Sequence, residues 1–184
     1  MWFRPMSRIE GRYSRLHRRL HWATALTLPV QGLLGWLSER VDDALLGKAL
    51  MAAHLQLGVV LLVLLALRLT VRFWQPTPPP PLGDPRWQQR IAAVVHATLY
   101  ALMVLLPLSG LVLWAWMRTP LDLFGLLHVA PVLSTRPDDE TSLVIGWYLH
   151  VWGAWALAGV AALHVGAALW HQWIVRDRRI LDRM

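Results

Sequence analysis

The sequence predicts an all-α integral membrane protein, a four-helix bundle with both termini on the cytoplasmic side. Three observations lead there. Four stretches are long and apolar, roughly 20–38, 49–71, 91–117 and 143–175, and each reaches the about 20 residues that cross a hydrocarbon core. Apolar residues make up 56% of the chain, charged ones 16%, and 12 residues are Trp. That balance leaves no polar outer face for a soluble bundle of four buried helices. Lys and Arg gather in alternate connections, which sets the orientation.

The basic arm 1–19 holds Arg4, Arg8, Arg12, Arg15, Arg18 and Arg19. The apolar segment behind it has the basic flank of a secretion signal. It is longer than a signal's apolar core and has no small-x-small cleavage pattern before Glu39, so it reads as a retained helix. A short connection follows, with Glu39, Asp42 and Asp43 beside Arg40 and Lys48. The middle connection carries Arg68, Arg72, Arg86 and Arg90. Within it, residues 76–85 hold six prolines and read as an extended, stiff strap. Pro29 and Pro107 fall inside the first and third helices and predict local kinks.

The loop 118–142 holds Arg118 and Arg136 against Asp122, Asp138, Asp139 and Glu140, and has room for a small cap over the bundle. The tail holds Arg176, Arg178, Arg179 and Arg183. Fourteen of the 18 basic residues thus lie in the arm, the middle connection and the tail, which the positive-inside rule puts in the cytoplasm. The pI of about 11.2 is a topology signal, and no nucleic-acid partner is expected. Residues 1–184 read as a single membrane domain in contact with the lipid bilayer, and no internal repeat is legible.

There is no cysteine. Disulfides, thiolate clusters and cysteine nucleophiles are excluded, as is haem attached through a C-x-x-C-H motif. Any cofactor must be held by other side chains and by packing.

The histidines carry the chemistry. His150 and His164 in the fourth segment are fourteen residues apart. That spacing returns to nearly the same helix face and separates them by about 21 Å along the axis. With the assigned topology, His54 lies near the outer surface with His150, and His21 near the inner surface with His164. Ionisable side chains at such depths are costly and mark function. Two bis-histidine sites stacked across a membrane suit a pair of b-type haems, with His21, His54, His150 and His164 as the iron ligands.

His96 opens the third helix at the depth of the inner site and competes with His21 there. A hydrogen bond to a propionate, a quinone or a neighbouring helix is its expected role. His17 and His171 read as interfacial residues and His128 as a loop residue facing solvent or a partner. Gly146, Gly153 and Ala154 flank His150, and Ala161, Ala167 and Ala168 flank His164. Small residues make room for a flat porphyrin or for close helix packing. Most tryptophans, including Trp2, Trp22, Trp36, Trp74, Trp87, Trp114, Trp116, Trp147 and Trp173, fall near helix ends and read as headgroup anchors.

The chain resembles the bacterial cytochrome b561 family of small di-haem membrane cytochromes. The resemblance is carried by Tyr13-Ser14-Arg15-Leu16 before His21-Trp22, by His54, and by Arg68-Leu69-Thr70-Val71-Arg72 before the prolines at 76–81. It is carried further by Leu106-Pro107-Leu108-Ser109-Gly110-Leu111 and the His150/His164 pair. It implies four helices, two haem b groups and electron exchange with the quinone pool, ubiquinone in particular. Its ligand positions fall on His21, His54, His150 and His164. Some relatives carry an acid directly after the third ligand; here that residue is Val151.

The expected protein is a multi-pass cytochrome b of the bacterial inner membrane. It passes electrons between the periplasmic side and membrane quinone, with superoxide:ubiquinone oxidoreduction as a specific activity. One alternative is a cytochrome subunit relaying electrons for a separate periplasmic redox partner or dehydrogenase. Another is a histidine-based metal or proton transporter without haem. No catalytic residue is assigned.

Overall fold

The computed structural model describes residues 12–75, 78, 85–117, 120–130 and 140–176. The arm up to Gly11, most of the proline-rich strap, Arg118, Arg136, Asp138, Asp139 and the tail beyond Arg176 lie outside the described residues. Four helices run in chain order: α1 Arg15–Ser38, α2 Ala44–Trp74, α3 Arg86–Met117 and α4 Glu140–Trp173. The helices begin three to five residues before their apolar stretches, and α4 ends at Trp173, short of residue 175. Ser14 caps α1 by accepting from the His17 N–H at 3.2 Å. Asp43 caps α2 by accepting from the Leu46 N–H at 2.8 Å. Such a cap contributes about 1 kcal/mol.

Helices α2, α3 and α4 are long and apolar enough to cross a membrane. Helix α1 has the length, 24 residues, but His21, Thr24, Thr27 and Gln31 dilute its apolar character. Those groups are met locally: Thr24 Oγ1 donates to the Leu20 carbonyl and Thr27 Oγ1 to the Ala23 carbonyl, both at 2.7 Å. The bundle wears its apolar side chains outside, with Leu26, Leu33, Val63, Leu67, Leu163 and Val165 all exposed. That is the inverse of a water-soluble bundle and the pattern that hydrocarbon demands. Trp22, Trp36, Trp74, Trp87, Trp147 and Trp173 are exposed as well, as headgroup anchors should be. Trp114 differs: it is buried at 8% exposure and packs inside the bundle.

The helices pack as two close pairs, α1 with α2 and α3 with α4, and the pairs meet each other sparsely. Ser14 Oγ donates to Gln75 Oε1 and ties the start of α1 to the end of α2. Where the pairs do meet, Leu65, Met103 and Leu157 form the buried core, with Leu28, Leu69 and Leu99 packed against it. All four helices contribute to this apolar layer.

Between α3 and α4 lies a small antiparallel hairpin, β1 Leu121–Leu123 and β2 Leu127–Val129, with Leu121 opposite Val129. Strands of three residues are too short to show an alternating pattern in sequence. Phe124 and Gly125 adopt left-handed backbone angles in the turn, φ 54° and 70°. The turn is closed by the Gly125 N–H donating to Asp122 Oδ1 at 3.1 Å. Strand β1 rests on α2 with Leu121 buried.

Candidate functional site

Each helix carries a histidine with a second notable residue fourteen positions on. These pairs are His21 and Gly35 in α1, His54 and Arg68 in α2, His96 and Gly110 in α3, and His150 and His164 in α4. In antiparallel neighbours they collect into two levels. One level holds Gly35, His54, Gly110 and His150; the other holds His21, Arg68, His96 and His164. The apolar layer of Leu28, Leu65, Met103 and Leu157 falls between the two along every helix.

At the first level the His54 and His150 ring centroids are 6.0 Å apart. At the second, His21 and His164 are 6.4 Å apart. Each pair bridges the two helix pairs. Two imidazoles trans on one metal, each bonded at about 2 Å, have centroids about 6 Å apart. The spacing therefore fits an iron between each pair. His96 lies 5.2 Å from His164, closer than that geometry.

Hydrogen bonds fix the ring nitrogens at the first level. His54 Nδ1 is 3.0 Å from the Gln31 carbonyl oxygen. A carbonyl only accepts, so Nδ1 bears the hydrogen and Nε2 carries the lone pair. The Gln31 amide faces that nitrogen at 3.4 Å and donates to the His54 carbonyl at 2.9 Å. Gln31 Oε1 is buried without a hydrogen-bond partner. His150 Nδ1 is 3.1 Å from both the Leu106 carbonyl and Ser109 Oγ. Ser109 spends its own hydrogen on the Leu106 carbonyl at 2.9 Å. Nδ1 of His150 must then be the donor too, and Nε2 again carries the lone pair. Both imidazoles at this level are in the tautomer that metal ligation requires.

The second level is different. Arg68 Nη2 lies 3.1 Å from His21 Nδ1, and a guanidinium only donates, so this nitrogen is an acceptor. Arg68 is held in place by Nε donating to the Tyr100 hydroxyl at 3.2 Å and by its position 5.3 Å over the Tyr100 ring. Ligation through His21 Nε2 needs Arg68 to release Nδ1 and turn to an anion. A haem propionate is such an anion.

The remaining histidines sit elsewhere. His17 is buried and stacks on Tyr13 at 4.4 Å. His128 is exposed on the hairpin and faces Asp122 Oδ1 at 3.3 Å. Gly146 and Gly153 abut Leu113 and Leu106 of α3, so they serve close helix packing. A site role for Gln31, Gly35, Gly110 and Tyr100 is not legible in the sequence pattern, although Gly110 belongs to the Leu106–Leu111 motif. Gln31 stands out only as an amide in the middle of an apolar stretch. Among the described residues no group of three or more His, Cys, Asp or Glu is placed to hold a bare metal ion. Two axial imidazoles per level suit a metal that brings its own equatorial nitrogens, as a porphyrin does.

A lipid-facing helical bundle with imidazoles paired across its interior defines the class: a membrane b-type cytochrome, an electron-transfer protein with haem b as cofactor. Within it, this chain belongs to the prokaryotic cytochrome b561 family, whose profile it matches over residues 12–184. It is 31% identical over 182 residues to cytochrome b561 homolog 1 of Escherichia coli K12, covering 95% of this chain and 97% of that one. It is 28% identical to cytochrome b562 of Cereibacter sphaeroides over 95% and 96% of the two chains. It is 26% identical to the "Probable superoxide oxidase CybB" of Yersinia pestis over 96% and 97%. These relationships make it a bacterial membrane protein.

Proposed function

We propose that this chain is a di-haem cytochrome of the bacterial inner membrane that moves electrons between the periplasmic face and the membrane quinone pool. The observation that carries this reading is the pair of imidazole separations, 6.0 Å and 6.4 Å, each bridging the two helix pairs. His54 and His150 are the proposed axial ligands of one haem, His21 and His164 of the other. When bound, haem iron supplies one-electron transfer at each level.

The chain's own residues do the rest. The carbonyls of Gln31 and Leu106 hold Nδ1 of His54 and His150, which leaves Nε2 of each ring as the nitrogen able to ligate. Leu65, Met103 and Leu157 place a buried apolar layer between the levels. Arg68 brings a fixed positive charge to the His21–His164 level, where propionates need counter-ions. The excess of arginines in the arm, the middle connection and the tail argues that this level is cytoplasmic and the His54–His150 level periplasmic. Ubiquinone, dissolved in the bilayer, is the proposed electron acceptor at the cytoplasmic level, where His96 offers a hydrogen-bonding group that the proposed ligation does not consume. The Yersinia pestis relative's name supports superoxide as electron donor at the periplasmic level.

The deciding experiment is a pyridine haemochrome assay of the purified full chain after haem-replete expression. Two haems per polypeptide are expected; one or none overturns the reading.

A further inference from the structure

The two levels are built differently, and the difference lies in two glycines. At the first level each imidazole meets the same device on the other helix of its own pair. His54 points Nδ1 at the Gln31 carbonyl of α1, and Gly35 follows one turn later. His150 points Nδ1 at the Leu106 carbonyl of α3, and Gly110 follows one turn later. A Cβ on Gly35 would stand 2.8 Å from His54 Cε1 and 2.9 Å from Nδ1. A Cβ on Gly110 would stand 3.1 Å from His150 Cε1. Both distances are shorter than an ordinary van der Waals contact of about 3.5–4 Å. A Cβ at Gly35 forces a shift of the His54 ring, and one at Gly110 makes the His150 ring give way by a smaller amount. These glycines are needed for a close approach, since no left-handed backbone angle is involved.

At the second level, among the described residues, His21 has a side chain and not a carbonyl as its Nδ1 partner. Its Nδ1 faces the Arg68 guanidinium, braced by Tyr100.

We infer that Gly35 and Gly110 are positioning residues that lock both imidazoles of the His54–His150 level onto helix carbonyls, and that this lock, set against the Arg68 cation at the other level, makes the His54–His150 level the lower in reduction potential. The inference rests on the di-haem reading above. A carbonyl that accepts from Nδ1–H makes the imidazole a stronger electron donor, which favours ferric iron. A fixed cation beside the other level favours ferrous iron there. The two effects act in the same direction. An electron shared between the levels then rests at the His21–His164 level at equilibrium. One iron passes from ferrous to ferric as the other passes from ferric to ferrous, and no proton or atom changes hands.

The test is an optical redox titration of the purified full chain with low-temperature EPR of the oxidised form. Wild type should resolve two low-spin components, and His54→Ala should lose the lower one. Gly110→Ala, the milder of the two glycine changes, should raise the lower component toward the upper and alter only its EPR g-values. Gly35→Ala should do the same or lose that one haem. Arg68→Gln should lower the upper component alone, and Arg68→Lys should largely restore it. Loss of the upper component in His54→Ala overturns the inference, and so does a Gly110→Ala chain in which neither component or both components move. A wild-type chain with fewer than two haems overturns the reading beneath it as well, so the two failures are told apart.

Discussion

Removal of single histidines and of pairs gives a non-additive series whose pattern follows from the two levels. His150 and His164 are fourteen residues apart on one helix, about 21 Å along its axis. The facing imidazoles at each level are only 6.0 Å and 6.4 Å apart. A histidine at one level therefore cannot reach an iron at the other, and losing either partner at a level empties that level alone. His54→Ala and His150→Ala should each reduce haem from two to one per chain, and the double variant should also retain one. His21→Ala with His54→Ala should retain none. The same holds with the roles of the levels exchanged for His21 and His164. Pyridine haemochrome gives the count, and the dithionite-reduced optical spectrum identifies which component is gone. A His54→Ala/His150→Ala chain without haem would refute the reasoning. So would removal of one and the same component by His21→Ala and His54→Ala.

His96→Ala should keep both haems, because its ring lies 5.2 Å from that of His164, inside the spacing for a trans pair; haem loss in that variant would make His96 the ligand in place of His21. Ser109→Ala removes one of two acceptors for His150 Nδ1 and should weaken haem retention at that level about tenfold, the lower end for outer-shell partners, measured as the rate of haem transfer to apomyoglobin. Rapid mixing of the oxidised protein with superoxide should reduce haem within the mixing experiment, with a rate that falls as salt rises; no reduction on that timescale eliminates superoxide and leaves another donor.

The histidines were legible in the sequence because hydrocarbon offers no water, so a polar group within an apolar run declares itself. Helix count and the levels of His54 and His150 followed from apolar length and chain direction alone. Gly35 and Gly110 were not legible as site residues. A glycine in a membrane helix has many uses, and only the ring above it distinguishes this one. Arg68 reads in sequence as the edge of a basic connection, yet it lies within α2, six residues before its end, with its head on His21 and Tyr100. The hairpin was hidden for a different reason: three-residue strands have no period to detect.

The absence of a legible repeat is itself explained by the structure. Fourteen residues is close to four full helical turns, so each helix shows nearly the same face at both levels. Four helices crossing two levels make eight positions. The chain fills them with five histidines, two glycines and one arginine. The first level is filled alike in both helix pairs, glycine then histidine, and its hydrogen bonds match as well. The second level is filled with histidine and arginine in one pair and two histidines in the other. Two levels filled by different rules conceal the fourteen-residue spacing from any comparison of letters. They also place the constraints unevenly. Every position of the first level is occupied by ring contact or ring clearance, so a Cβ added at either glycine there makes a ring give way. The second level holds one cation, Arg68, and three imidazoles, His21, His96 and His164. In the function proposed above, this level is where the quinone headgroup finds its hydrogen-bonding partners.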